Sequence, residues 1–333
     1  MSREKTRSIS GYSGKNILIT GGRGYIAASV VEALKGVMCS IELLDRSPAP
    51  VKRPKTLARV TDIAADIRDP RIWRKVLKGI DVVFYFAGQT SVKVADMDPL
   101  CDHSVNVLPF LELLETCRKV GSRPVIIFAG TVTSAGIPEK LPVDETFQKD
   151  PATFYDLHKL MAEQYLRYYS ELGAVRGAIL RLANVYGPGP RSSSADRGIL
   201  NQMIWKALKG EDITLYGSGK PIRDYIYVGD VADAFLAAGL NADKVNGRSF
   251  IIGSGRGYSL GDAFRLVRER AARRTGKMSR IVRVKPPVAS SAADARNFIA
   301  DPRLFARATG WRPRYDMAGG IDAAIEYYLG NGS

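Results

Sequence analysis

Between residues 16 and 185 short apolar runs alternate with segments of helical periodicity, and this alternation excludes most architectures before any motif is considered. The runs are Asn16–Thr20, Ser40–Asp45, Asp81–Phe86, Pro124–Phe128 and Gly177–Arg181. Each is apolar at consecutive positions rather than at every second one, which is the pattern of a strand buried on both faces. Between the first two, Ala27, Val30, Val31 and Leu34 recur at i, i+3, i+4 and i+7, the stripe of an amphipathic helix. Buried strands joined through helices pair in parallel, because a crossover rather than a tight turn connects them. The expected class is therefore α/β, a doubly wound parallel sheet.

The remainder is more broken. Gly187-Pro-Gly-Pro190 and Ser192–Ser194 mark loops, Val231–Leu240 reads as a helix, and Ser249–Ile252 reads as a last sheet strand. A first domain is expected over residues 14–183, joined by a returning segment of about 225–253. A smaller lobe over residues 184–330 is interleaved with it.

Composition narrows the function classes. No apolar run approaches the ~18 residues that cross a bilayer, and Met1–Ser8 is polar with no apolar stretch behind its charges, unlike a secretory signal. Cys39, Cys101 and Cys117 lie far apart without metal-ligand spacing, so no metal site is expected and the thiols suit a reducing cytoplasm. The net charge is +15, with seven Arg and one Lys between Arg265 and Arg283. Leu266, Val267, Ala271 and Ala272 interrupt that run, which reads as a helix with a solvated basic face. No aromatic side chains interleave it, so nucleic acid is not an expected partner.

The first strand leads into Thr20-Gly21-Gly22-Arg23-Gly24-Tyr25-Ile26-Ala27 and then the amphipathic helix. Gly21 and Gly24 permit a tight turn and close approach of backbone to a pyrophosphate, while the helix start offers unpaired N–H groups. Asp45 ends the next strand, 24 residues beyond Gly21. A carboxylate there accepts from a ribose 2′-OH and repels a 2′-phosphate, favouring NAD over NADP, although Arg46 beside it suits a phosphate.

Tyr155-Asp-Leu-His-Lys159 places a phenol and an ammonium at i and i+4 on one helix face. A free phenol, with a pKa of ~10, is a poor base at neutral pH. A neighbouring ammonium and a cationic nicotinamide favour the phenolate and make it a usable one. Leu157, Leu160, Met161 and Tyr165 are expected to seat this helix on the core. Thr131, just beyond the strand ending at Phe128, offers a second hydrogen bond to a reacting hydroxyl. His158 is expected to face away and to be structural.

With these features in place, the chain resembles the extended short-chain dehydrogenase/reductases, within their nucleotide-sugar epimerase/dehydratase group, from about residue 15 to about 328. The carriers are Thr20–Ile26, Asp66-Ile-Arg-Asp69, Phe86-Ala-Gly-Gln-Thr-Ser-Val92, Tyr155-x-x-x-Lys159, Arg181-Leu-Ala-Asn-Val-Tyr-Gly-Pro188, Tyr216-Gly-Ser-Gly219, Arg223-Asp-Tyr-Ile-Tyr-Val228 with Asp230, and Gly310-Trp-Arg-Pro313. The resemblance implies a Rossmann fold whose catalytic set is Tyr155, Lys159, Thr131 and Asn106, the last supporting Lys159 through water. It implies that NAD lies against Gly21, Gly24, Tyr25, Ile26, Asp45, Asp66, Ile67, Ala87, Gly88, Gln89 and Lys159. It assigns the substrate to Thr90, Ser91, Thr131, Thr133, Tyr155, Asn184, Arg191 and Arg223, with Asn184 and Arg223 on its diphosphate. Three departures stand out: Ala27 for the usual third Gly, Tyr85 where a His is frequent, and Val132 to Gly136 after the catalytic Thr.

The same stretch separates reactions. Dehydratases similar to this chain carry Asp-Glu after the Thr, and decarboxylases a Glu at the position of Thr133. Val132 and Thr133 do no acid–base work near neutral pH. A 4-epimerase needs only Tyr155, Lys159, Thr131 and a tightly held NAD, so NAD-dependent nucleotide-sugar 4-epimerisation is the expected activity. Reduction of a nucleotide 4-keto sugar with NAD(P)H is the alternative. Dehydration, decarboxylation and a non-catalytic binding role rank below both. Similar enzymes pair as homodimers through two helices, here about 104–119 and 154–172. The loop Arg191–Arg197 and the segment Pro286–Asn297 are expected to form the nucleotide pocket.

Overall fold

The computed structural model describes residues 9–47, 56–190, 198–285 and 295–330. In chain order its strands are β1 (Asn16–Thr20), β2 (Ser40–Asp45), β3 (Arg59–Ala64), β4 (Val82–Tyr85), β5 (Val125–Thr131) and β6 (Arg176–Leu182). They continue with β7 (Asn184–Tyr186), β8 (Ile213–Tyr216), β9 (Ile222–Tyr227), β10 (Arg248–Ile252), β11 (Gly257–Ser259) and β12 (Ile281–Val284). The longer helices are α1 (Tyr25–Leu34), α2 (Pro99–Asn106), α3 (Leu108–Val120) and α4 (Phe154–Glu171). After them come α5 (Ile199–Lys209), α6 (Val228–Leu240), α7 (Leu260–Thr275) and α8 (Met317–Gly330).

Seven strands form one parallel sheet in the order β10-β6-β5-β4-β1-β2-β3. From β1 the chain winds outward through β2 to β3, then crosses back to β4 on the other side of β1. That reversal opens a crevice beyond the carboxyl ends of β1 and β4, where sheets of this kind take their ligands. Successive residues of each strand serve opposite faces. Ile17, Ile19, Phe84, Ile127 and Leu180 pack beneath α1 and α6, with Val30, Val231 and Phe235 among them. Leu18, Val83, Tyr85, Ile126 and Ile179 pack against Phe110, Leu113 and Leu114 of α3 and Ala162 and Leu166 of α4. Each such fully buried side chain contributes roughly 1.5–3 kcal/mol. Tyr85, at the family's frequent His position, lies in this second layer, its ring centroid 4.7 Å from that of Phe110. A third cluster joins α5, α7 and α8 through Ile204, Phe264, Val267 and Ile325.

Three expectations change, and one strand is new. β3 is a polar edge strand with no apolar run, and periodicity gives no sign of it. β5 runs on to Thr131, so that residue ends the strand instead of following it. The helix expected over 104–119 is two helices, broken at Val107 ahead of Pro109. The face that seats α4 consists of Tyr155, Asp156, His158, Lys159, Ala162, Glu163, Leu166 and Ser170. Leu157 and Tyr168 are exposed, and Leu160, Met161 and Tyr165 are only partly covered, so the apolar stripe faces outward. The basic run forms most of α7 and continues past it, and four of its eight cations have ion pairs among the described residues: Arg265 with Asp262, Arg270 with Asp322, Arg274 with Glu326 and, beyond the helix, Arg280 with Asp212. Among the described residues no helix is long and apolar enough to cross a membrane.

Candidate active site

The turn after β1 is shaped for backbone contact. Gly21 has φ +65°, and a Cβ there would stand 2.9 Å from the amide nitrogen of Ala87, so only glycine fits. Thr20 Oγ1 accepts from the amides of Phe86 (3.2 Å) and Ala87 (3.1 Å), which ties the exit of β4 to the turn. Helix α1 starts behind Gly24, which caps it without a side-chain acceptor, leaving first-turn N–H groups and the positive dipole end for an anion. Asp45 closes the turn from the end of β2. Its Oδ2 accepts from the Arg23 amide (3.1 Å) and its Oδ1 from the Ser47 amide (3.1 Å). A carboxylate has about four acceptor positions, so acceptor capacity for a ribose hydroxyl remains. Further along this edge, hydrogen bonds from Arg68 hold the Asp66 carboxyl below the usual range, and Ile67 is buried behind it. The Tyr25 hydroxyl accepts from Asn201 Nδ2 (3.2 Å), whose Oδ1 accepts from the Gly187 amide (2.9 Å). The glycine turn, the uncapped helix start and the Asp45 carboxylate together fit a dinucleotide.

Beside the crevice, α4 opens with Thr153, whose hydroxyl accepts the Asp156 amide at 3.2 Å. Tyr155 and Lys159 follow one turn apart, 7% and 8% exposed. The Lys159 ammonium lies 4.4 Å from the centre of the Phe128 ring on β5. Thr131, the last residue of β5, has its hydroxyl 2.7 Å from that of Thr133. Thr133 in turn donates to Asp156 of α4, so a line of hydroxyls joins the end of β5 to the first turn of α4.

Under this pair lies a buried polar network. Asp102 Oδ1 accepts from Gln89 Nε2 (2.7 Å) and Asn106 Nδ2 (2.9 Å), and its Oδ2 lies 2.6 Å from His158 Nδ1. His158 is thus turned away from the crevice into this network. The Asn106 Oδ1 is buried and has no hydrogen-bond partner among the described residues. Gly88 is packed against that oxygen, since a Cβ there would come within 2.5 Å of it. The Gln89 side chain is held on Asp102 and Ser91, the Ser91 hydroxyl caps the helix Val92–Met97, and Thr90 is exposed. Of the loop after β4, Ala87 and Gly88 therefore approach the crevice through backbone.

A second pocket opens from the hydroxyl line and is lined by Val132, Thr133, Asn184, Arg223, Asp224, Arg296 and Phe298. Asn184 and Arg223 come together here. Arg223 and Asp224 form no ion pair with each other. Arg223 donates to the carbonyls of Ile222 (3.1 Å) and Arg296. Asp224 is buried and accepts from Ser254 N (2.8 Å), Ser254 Oγ (2.7 Å), Gly255 N (2.9 Å) and Ala300 N (3.0 Å), while burial pushes its carboxyl up. Arg191, expected on the substrate, lies outside the described residues, as does most of the segment from Pro286 to Asn297. Two residues that reading the sequence did not single out stand in this site. Asp156 sits inside the Tyr155–Lys159 motif. Arg296 lies in that same segment, where one charged residue carries no readable pattern. Among the described residues no group of three or more His, Cys, Asp or Glu is placed to hold a metal ion.

Comparison with known proteins agrees with this geometry. The pattern of the family described as "NAD dependent epimerase/dehydratase family" matches residues 17–253. The UDP-glucose 4-epimerase of Mycolicibacterium smegmatis is 28% identical over 93% of this chain and 97% of its own. The crystal structure of the UDP-glucose 4-epimerase of Thermus thermophilus in complex with NAD is 30% identical, with TM-score 0.81, covering 95% of this chain and 99% of that one. The UDP-glucose 4-epimerase of Thermotoga maritima, crystallised with UDP-glucose, is 29% identical with TM-score 0.83 over 95% and 99% of the two chains.

Proposed function

The chain belongs to the NAD-dependent epimerase/dehydratase family, and from that premise we propose that it interconverts the C4 epimers of a nucleotide-diphosphate sugar. The observation that supports this reading is the hydroxyl line from Thr131 at the end of β5 to Asp156, next to Tyr155 on α4, with Lys159 against Phe128 of β5 and no carboxylate at positions 132 and 133. Gly21, Gly24 and the amides of Tyr25 and Ile26 receive the pyrophosphate of NAD, Asp45 receives the adenosine ribose, and Asp66 and Ile67 flank the adenine. Ala87 and Gly88 would admit the nicotinamide end, and Lys159 would hold its ribose. When bound, NAD supplies a reversible hydride acceptor at the sugar C4.

The chain's own work is proton handling and orientation. Tyr155, as phenolate, takes the C4 hydroxyl proton while the C4–H electron pair leaves, giving a 4-keto sugar. The Lys159 ammonium favours the phenolate by its charge. Arg223 and Asn184 grip the diphosphate, so the sugar ring turns between two poses without leaving the site. Tyr155 would then return its proton to the C4 oxygen once the ring has turned its opposite face inward, and no atom is gained or lost overall. Val132 and Thr133 offer no acid or base to expel a hydroxyl, so the keto sugar meets reduction only.

We place residues 14–183 with the returning strand and helix in the dinucleotide-binding domain, and 184–330 in the substrate lobe. The outward stripe Leu157, Met161, Tyr165 and Tyr168 on α4, with Leu108 at the start of α3, supports pairing of two copies. Three free cysteines, two of them buried, suit a cytoplasmic setting. The test is to release and identify the dinucleotide that copurifies, then offer UDP-, dTDP-, GDP- and CDP-hexoses without added cofactor. Interconversion of C4 epimers with NAD bound is the expected result. Absence of isomerisation, with NADPH-driven reduction of a 4-keto sugar, would overturn it.

A further inference from the structure

Arg296 lines the second pocket, and the chemistry derived so far leaves it without a role. Its side chain is 10% exposed. One nitrogen, Nη1, is tied to the protein: it lies 3.3 Å from the carbonyl oxygens of Thr133 and Gly136 and 3.4 Å from Asp156 Oδ2. Asp156 is fully buried and takes the Thr133 hydroxyl on its other oxygen. The turn after β5 and the first turn of α4 thus clamp the guanidinium at that nitrogen. Nε and Nη2 have no acceptor among the described residues. Their N–H groups lie parallel in one plane, the edge of a guanidinium that takes both oxygens of a carboxylate at once. The Arg296 backbone carbonyl accepts from Arg223, while its side chain reaches the Thr133 carbonyl. The residue therefore spans the pocket from the end assigned to the diphosphate to the end beside C4. The carboxylate in the lining, Asp224, is engaged by four donors, so an anion entering here meets two guanidiniums.

We propose that Arg296 is a specificity-determining residue that reads a carboxylate on the sugar, so that the substrate is a nucleotide-diphosphate hexuronate. This rests on the nucleotide-sugar reading given above. C4 adjoins C5, and the exocyclic C6 on C5 is where a hexose ring carries a carboxylate. A neutral CH2OH at C6 offers the Nε–Nη2 edge one uncharged acceptor and leaves a desolvated cation poorly matched. A carboxylate accepts from both N–H groups and supplies the opposite charge. The contact forms in the pose that brings C6 towards Thr133 and is released as the ring turns. It therefore contributes to binding and selection, and takes no part in the proton transfers.

UDP-glucose and UDP-glucuronate differ at C6 alone, and each can be titrated calorimetrically into the protein carrying its own dinucleotide. The hexuronate should bind about tenfold to a hundredfold tighter, the range of a hydrogen-bonded charge pair. Arg296→Gln should erase that preference and leave the affinity for UDP-glucose nearly unchanged. Arg296→Lys, which keeps the charge without the paired N–H groups, should keep part of it. Arg223→Gln should weaken both sugars alike, because the diphosphate is common to them. Equal affinities in the wild type would overturn the proposal. So would an Arg296→Gln protein that loses both sugars alike, which would make Arg296 a diphosphate ligand or an anchor of the turn. The wild-type ratio decides the matter if Arg296→Gln does not fold. If neither UDP sugar binds, the dTDP-, GDP- and CDP-linked pairs carry the same comparison, and failure of every pair would overturn this proposal together with the nucleotide-sugar reading. Preferential binding of the hexuronate without interconversion of its C4 epimers would remove the epimerase reading alone, since affinity is read without turnover.

Discussion

His158 Nδ1 lies 2.6 Å from the carboxylate of Asp102, and both side chains are buried. The same carboxylate receives the amide donors of Gln89 and Asn106, so it joins the loop after β4, helix α2 and helix α4 beside Lys159. Asp102→Ala leaves three buried donors without their acceptor and is expected to cost about 3–5 kcal/mol in urea unfolding. His158→Phe should lower stability and yet retain turnover, because the imidazole points away from the reacting atoms. A folded His158→Phe protein without turnover would contradict that placement.

The glycine turn makes a sharper demand. Gly21→Ala must hold φ +65° with a side chain and push a methyl against the Ala87 amide 2.9 Å away. Strain of this kind costs roughly 1–3 kcal/mol, and relieving it moves backbone from the pyrophosphate position. The variant is expected to fold with a lowered melting temperature and to purify with far less bound dinucleotide. Full dinucleotide content in that variant would sink the assignment of the turn.

Much of this was legible in the sequence for a physical reason. Strands buried on both faces need unbroken apolar runs, so β1, β2, β4, β5, β6 and β10 announced themselves. β3 did not, because an edge strand such as Arg-Val-Thr-Asp-Ile-Ala is largely solvated. The stripe Leu157, Met161 and Tyr165 misled for a related reason: periodicity reports that a face is apolar and not what covers it. Polar placement was the least readable. Asp224 looks like a partner for Arg223, and instead holds Ser254, Gly255 and Ala300. Asp156 and Arg296 meet across 140 residues of chain, which no local pattern records.

The thiols give an independent check on the layers. Burial pushes the Cys117 thiol up to about 12 and also raises that of Cys39, whereas Cys101 is exposed on α2. Since the thiolate is the attacking species, only about one Cys117 in ten thousand is reactive at pH 8 even before access is considered. Native protein should therefore show one fast thiol towards a disulfide reagent and two more only on unfolding. Rapid modification of all three would place α3 away from the sheet.

Glu145 offers a test of stability against pH. Its Oε1 accepts the Ile251 amide of β10 at 2.7 Å, yet burial raises its carboxyl above the ordinary value, and Asp144 and Asp301 add to the rise. A carboxyl raised on folding favours the folded state while protonated. Its contribution is complete below the unfolded value of ~4.3 and is lost as pH climbs through the folded one. Glu145→Gln keeps an oxygen for Ile251 and removes the buried charge. The variant should match the wild type near pH 4 and melt about 1–3 °C higher at pH 7–8, the gap opening as pH rises. A gap that opens instead toward acid would mean that the hydrogen bond to Ile251 outweighs burial and holds the carboxylate in its charged form.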